Sequence, residues 1–241
     1  WVEKEFFSGK PNIGHIMAQD YPSLTADEQA FLDGPVQELC EMVKDYDVAC
    51  KGDIPQEAWE FIKQKGFFSF IIDKEYGGLK FSALAVSTIC AKLSSHCSPL
   101  GITVMVPNSL GPAELLQHYG TEKQRNHYLP RLADGREIPC FALTEPNAGS
   151  DAGAISAHGI VYKHESGELY MRLNFKKRYI TLAAISTVMG LAFKLDDPEN
   201  LLGKGTSLGI TCALIPSQTE GIRLGRRHDP LGCSFFNCPI N

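Results

Sequence analysis

The sequence predicts an α+β fold, an N-terminal all-α helical domain over residues 1–138 followed by an antiparallel β domain over residues 139–241. Two observations carry this expectation. Between Thr25 and Pro130 the chain is punctuated by helix caps and helix stops, and after Pro139 the hydrophobic period drops to two. A third sets the frame: 44% hydrophobic and 21% charged residues over 241 positions is the balance of a chain with a packed core, and it argues against disordered, collagen-like or coiled-coil classes.

The helical elements follow in order. Thr25-x-x-Glu28 has the form of a capping box, in which hydroxyl and carboxylate satisfy the orphan amides of a helix start. Gly34-Pro35 interrupts that helix and restarts it, since proline suits a first helical position. Val36, Leu39, Cys40, Val43 and Tyr46 then recur at three and four, one buried stripe. A helix through Trp59, Phe61 and Ile62 ends at Gly66, where the missing Cβ permits a left-handed cap. Ser82 to about Leu93 is a further helix, Pro112–Tyr119 ends at Gly120, and Thr121-x-x-Gln124 opens one that Pro130 closes.

Beyond Pro139, Leu169, Met171, Leu173 and Phe175 alternate with Glu168, Tyr170, Arg172 and Asn174, a half-buried antiparallel strand. Segments 138–143, 159–163, 179–184, 187–195 and 209–215 are the other strands, with Asp197-Pro198 and Gly203-Lys204-Gly205 as turns. Hydrophobicity alone leaves 182–193 open to helix; its Ile, Thr and Val content favours strand.

Several functional classes are disfavoured. Lys and Arg total 23 against 28 Asp and Glu, a net charge of −5, so no basic footprint for nucleic acid or an anionic membrane exists. The longest clean apolar run, residues 100–106, is far short of the roughly 18 to 20 residues of a spanning helix. The eight cysteines are scattered through apolar runs without a C-x-x-C pair, which reads as reduced, buried thiols rather than zinc ligands or a disulfide scaffold. Dinucleotide G-x-G-x-x-G, P-loop, H-E-x-x-H and G-x-S-x-G motifs are missing. His118 and His127 read as helix-end or surface residues, and Lys176-Lys177-Arg178 as a solvated turn. The chain begins at Trp1 and ends in Asn237-Cys238-Pro239-Ile240-Asn241, which gives it the look of a fragment.

One stretch is dense enough to carry chemistry. Residues 140–153, Cys-Phe-Ala-Leu-Thr-Glu-Pro-Asn-Ala-Gly-Ser-Asp-Ala-Gly, leave an apolar strand, turn at a proline and enter a small-residue loop with uncovered backbone amides. Such a loop can hug a planar or anionic ligand, or simply cross from the helices to the sheet.

This stretch resembles the signature loop of the acyl-CoA dehydrogenases. Glu75-Tyr76-Gly77-Gly78, Gly120-Thr121-Glu122-Lys123-Gln124, Tyr128-Leu129-Pro130-Arg131-Leu132-Ala133-Asp134-Gly135 and Lys177-Arg178-Tyr179-Ile180-Thr181 resemble further family motifs in order and spacing. Val106-Pro107-Asn108-Ser109-Leu110-Gly111-Pro112 and Gly225-Arg226-Arg227-His228 are similar to the large bacterial enzymes of fatty-acid β-oxidation.

The resemblance implies an FAD-dependent enzyme that converts fatty acyl-CoA to trans-2-enoyl-CoA. A carboxylate takes the α proton and the β hydrogen leaves as hydride to flavin, so carbonyl, base and flavin must be held together. By motif position, Phe141, Leu143 and Thr144 would line the isoalloxazine, Gly149 and Ser150 would lie where the loop meets flavin, Ser150 would also touch the CoA substrate, and Tyr179, Ile180 and Thr181 would back the flavin. Tyr179 stands where many relatives carry Trp, which keeps an aromatic wall and adds a hydroxyl. Family members add a C-terminal helical bundle bearing the glutamate base. That bundle is expected to be missing here, and Glu145 to shape the loop rather than act as base. The implied partners are acyl-CoA, an electron-transfer flavoprotein and a second copy of the chain, with no metal. The implied location is the cytoplasm, with any inner-membrane association through segments outside this chain. An acyl-CoA oxidase and a non-catalytic flavin- or acyl-CoA-binding remnant are the alternatives.

Overall fold

The computed structural model describes residues 2–18, 20–109, 111–230, 233 and 236–241. Two short helices, α1 (Val2–Phe7) and α2 (Ile13–Met17), precede the helical domain. Its first helix, α3 (Ala26–Asp33), opens with the expected capping box: Thr25 Oγ1 accepts from Glu28 N, and Thr25 N donates to Glu28 at 2.8 Å. The other Glu28 oxygen accepts from Ser82 N at 2.6 Å, so the same carboxylate caps a second helix start. Those backbone donors, Ser82 first and then Thr25, hold the Glu28 carboxyl down at about 2 against its burial.

Pro35 restarts the chain as α4 (Pro35–Met42), and α5 (Asp45–Lys51) follows. The stripe of Val36, Leu39, Cys40 and Val43 is buried, but Tyr46 is not part of it. The backbone extends at Val43 and Lys44, so Tyr46 starts the next helix and is 77% exposed. Helix α6 (Gln56–Gln64) ends just before Gly66, whose φ of +75° is the left-handed cap. Helices α7 (Ala83–His96), α8 (Ser98–Met105), α9 (Pro112–Tyr119) and α10 (Glu122–Ala133) complete the domain.

Two departures stand out. The apolar run near Leu100 is itself a helix, α8, buried on Leu100, Thr103 and Val104, and it carries no amphipathic period to announce it. Pro130 does not close α10, which continues to Ala133. The core gathers Leu39, Ile62, Phe67, Phe70, Leu93 and Leu100, with Phe31 set against Phe67 and Phe70 at centroid distances of 5.1 and 5.5 Å.

Among the described residues the second half holds seven strands: β1 (Pro139–Ala142), β2 (His158–Lys163), β3 (Leu169–Asn174), β4 (Lys177–Thr181), β5 (Val188–Asp196), β6 (Ser207–Pro216) and β7 (Asn237–Ile240). The α+β class holds, but the β domain is not antiparallel throughout. Strand β5 is the centre of a five-stranded mixed sheet: β1 and then β2 run parallel along its length, β6 pairs it antiparallel, and β3 pairs β2 antiparallel. Alternation in a single strand reports one buried face and says nothing about the direction of its neighbours. The segment at 182–193 divides: Leu182 is left-handed at φ +64°, residues 183–185 form a 3-10 turn, and β5 begins at Val188. The apolar face expected on β3 is largely in solvent, with Leu169 48% and Met171 37% exposed.

Strands β4 and β7 form a separate two-stranded sheet. It covers the mixed sheet through Ile180, Cys238 and Ile240 against Cys140, Ala142 and Leu191. The β half also reaches into the helical core. Ile138, Leu182 and Phe236 belong to that cluster, Phe236 sits 5.6 Å from Trp59, and Arg227 donates to the Gly52 carbonyl at 2.7 Å. Where α9 meets β5 the approach is close: a Cβ on Gly190 would lie 2.9 Å from Phe141 and 3.3 Å from Pro112. All eight cysteines are free thiols; Cys50 and Cys212 are exposed rather than buried. Among the described residues no helix is long and apolar enough to cross a membrane, and no group of His, Cys, Asp and Glu is placed to hold a metal ion.

Candidate functional site

The loop after β1 is built on one carboxylate. Glu145 N donates to Ala148 O at 3.0 Å and Ala148 N to Glu145 O at 3.2 Å, which closes a tight turn around Pro146 and Asn147. The side chain, 5% exposed, accepts from Ser156 N at 2.6 Å, Ser156 Oγ at 2.7 Å, Ala157 N at 2.9 Å and Lys177 Nζ at 2.9 Å. Lys177 is fully buried and gives a second hydrogen bond to Leu143 O at 2.9 Å. One strand over, Arg178 N donates to Thr144 O at 2.9 Å. The loop is therefore stapled at both ends, and Thr144 is held beside β4.

Burial by itself would push the Glu145 carboxyl up. The donors from Ser156, Lys177 and Ala157 outweigh it and hold the group at about 2. Burial lowers the Lys177 ammonium, and Glu145 opposes that. The ion pair overturns the expectation of a solvated basic turn at Lys176-Lys177-Arg178. Glu145 shapes the loop, with its oxygens engaged and no basicity near neutral pH to take a proton.

The opposite wall is β4. Tyr179 has φ +58°, uncommon for a non-glycine residue, and its ring is 55% exposed between the Arg178 guanidinium at 5.0 Å and the His228 ring at 4.8 Å. Ile180 points into the core between the sheets, and Thr181 Oγ1 accepts from Asn237 Nδ2 at 3.2 Å. Beside this wall an open depression of about 910 Å³ is lined by Tyr179, Arg226, Arg227, His228, Asp229, Pro230 and Pro239. Its two arginines outnumber the one carboxylate, Asp229, a balance that suits an anionic ligand.

Of the residues singled out in the sequence, the structure brings Thr144, Tyr179 and Thr181 to neighbouring backbone. Phe141 and Leu143 lie on another face, packed with Ala148, Ile155 and Ala192. Gly149 and Ser150 are exposed at the loop surface, a Cβ on Gly149 would meet nothing within 4 Å, and among the described residues no hydrogen bond joins either to the rest. Sequence reasoning missed Lys177, His228 and Asn237. Their partners lie 32, 9 and 56 positions away, so no local period marks them. His118 does have an orienting carboxylate, Glu114 at 3.0 Å, but both lie on the surface of α9.

Helices leading directly into a mixed sheet, with the crossing loop clamped onto a covering two-stranded sheet, define an α+β scaffold rather than a Rossmann or P-loop fold. This chain belongs to the acyl-CoA dehydrogenase family: the family's N-terminal domain matches residues 25–136 and its middle domain residues 140–239. It is 37% identical over 190 residues to the 3-(aryl)acrylate reductase of Clostridium sporogenes, covering 78% of this chain and 46% of that protein. It is 33% identical over 239 residues to the mitochondrial very long-chain specific acyl-CoA dehydrogenase of Mus musculus, covering 96% of this chain and 35% of that one. The fold matches the butyryl-CoA dehydrogenase of Megasphaera elsdenii with a TM-score of 0.76 at 23% identity, over 92% of this chain and 56% of that one. The chain thus spans about half or less of these relatives.

Proposed function

We propose that this chain forms the flavin- and thioester-facing half of an enzyme that interconverts a saturated acyl-CoA and its 2,3-unsaturated product, with fatty acyl-CoA as the substrate. The observation that carries this reading is the clamp of Lys177 on Leu143 and Glu145, which sets Thr144 against β4 with an exposed aromatic ring beside it. The residues fit FAD. A flat ring with polar edges needs an aromatic contact and hydroxyl donors, which Tyr179, Thr144 and Thr181 provide, and an anionic tail is served by the basic lining at Arg226 and Arg227.

When bound, FAD accepts the hydride that leaves the β carbon. The chain supplies the rest by positioning. Thr144 and Thr181 would hold the ring edge and Tyr179 would wall it, while Phe141 and Leu143 support the loop by packing against Ala148, Ile155 and Ala192. Gly149 and Ser150 leave the loop surface open to the thioester. The proton acceptor is a residue other than Glu145. An electron-transfer flavoprotein as acceptor and a homo-oligomeric assembly complete the proposal, on the strength of family membership.

The 37% identity to an arylacrylate reductase favours a second direction for the same chemistry, reduction of an unsaturated aryl thioester. The two share every bond change in reverse, and the potentials of the electron partners choose between them. Anaerobic titration of the FAD-loaded full-length enzyme that contains this half separates them: bleaching of the visible flavin band by palmitoyl-CoA supports the fatty-acyl reading. Inertness to fatty acyl-CoA, with reoxidation of reduced flavin by an arylacrylyl-CoA, overturns it for the reductase.

A further inference from the structure

The Thr181 hydroxyl is held by the Asn237 side chain, 56 positions away, which is itself held by His228. Asn237, 4% exposed, donates from Nδ2 to Thr181 Oγ1 at 3.2 Å, and its Oδ1 lies 2.6 Å from His228 Nδ1. Backbone joins the last two as well, His228 N donating to Asn237 O at 2.8 Å. The His228 ring stands 4.8 Å from Tyr179.

Proton inventory sets the direction of this chain. An amide oxygen has no proton to give, so His228 carries one on Nδ1; an amide nitrogen has only protons to give, so Thr181 accepts. A hydroxyl that accepts from one side keeps its own proton for another acceptor. Each bond also polarises the next, which makes the terminal hydroxyl a stronger donor. The β4–β7 ladder does not need these bonds, because backbone pairing already sets Thr181 opposite Asn237 and Ile180 opposite Cys238.

We propose that His228 and Asn237 are positioning residues that commit the Thr181 hydroxyl to donate to an acceptor atom on the edge of the flavin ring. The proposal rests on the flavin reading above. The test is titration of the protein with FAD, read by flavin fluorescence and by the visible spectrum. Asn237→Asp keeps the shape and loses the Nδ2 donor, so the new carboxylate takes the Thr181 proton for itself. The expected result is about tenfold weaker FAD binding and a shifted flavin band, with the same loss in Thr181→Val and no further loss in the double variant. His228→Phe keeps the ring against Tyr179 and removes the Nδ1 donor, and a loss of several-fold is expected there. It serves as the deciding variant where Asn237→Asp does not fold. Unchanged affinity and spectrum in both variants, or an undiminished Asn237→Asp effect on the Thr181→Val background, overturns the proposal. A wild-type chain that binds no FAD overturns the flavin reading itself.

Discussion

At the scale of single residues, the buried Lys177–Glu145 pair is the most consequential feature. A buried ion pair is weak evidence for stability in itself, because desolvation offsets much of the attraction. Removing one partner is different, since it strands the other. Lys177→Met leaves the Glu145 carboxylate short of a charged donor and frees the Leu143 carbonyl, and we expect a loss of about 3 kcal/mol in urea unfolding. A loss within error would mean that Ser156 and Ala157 alone satisfy Glu145.

The same carboxylates set the acid response. Glu28 and Glu145 both have folded pKa values depressed to about 2 from an ordinary 4.5. Their contribution is therefore fully present above 4.5 and is lost as pH falls from there toward 2. Glu28→Gln and Glu145→Gln should each make stability fall less steeply across that window, measured by urea midpoints at stepped pH. A slope unchanged in both variants contradicts the assignment.

At the scale of elements, the helix starts were legible because capping chemistry is local. Thr25 and Thr121 form both halves of their capping boxes, and Pro112 opens α9 as a first-turn proline. Thr121→Ala should cost about 1 kcal/mol with no change in the far-UV spectrum of the folded chain. A destabilisation below a few tenths would show that α10 is held by Leu129 and Leu132 rather than by its cap. Elements without a local signature escaped. Helix α8 is apolar all round because it is buried, so no stripe marks it, and β7 is a strand only because β4 offers it an edge. Strand β3 shows the converse, since its alternation is plain in the sequence and its apolar face still lies mostly in solvent.

At the scale of the whole molecule, the two halves share one core cluster. Phe236 closes the helical core from the β side, against Trp59, and Arg227 covers its ring at 4.3 Å while donating to Gly52. Thermal unfolding followed by helical circular dichroism and by amide hydrogen exchange in β5 and β6 should give coincident transitions. Phe236→Ala should lower stability by about 3 kcal/mol and pull the two transitions apart. Two separate transitions in the unmodified chain would show that the halves are already independent.

The α+β class, the order of helices before strands, the cap residues and the identity of the loop from Cys140 to Gly153 were determined by the sequence alone, because each depends on residues within a few positions of one another. Tertiary structure decided that β1 and β2 run parallel to β5, that Lys177 is buried on Glu145 rather than solvated, and that His228 and Asn237 stand behind Thr181. Those facts depend on which distant segments share a low-dielectric interior. There an unpaired polar group is costly, and so each finds the partner that only the folded chain brings within reach.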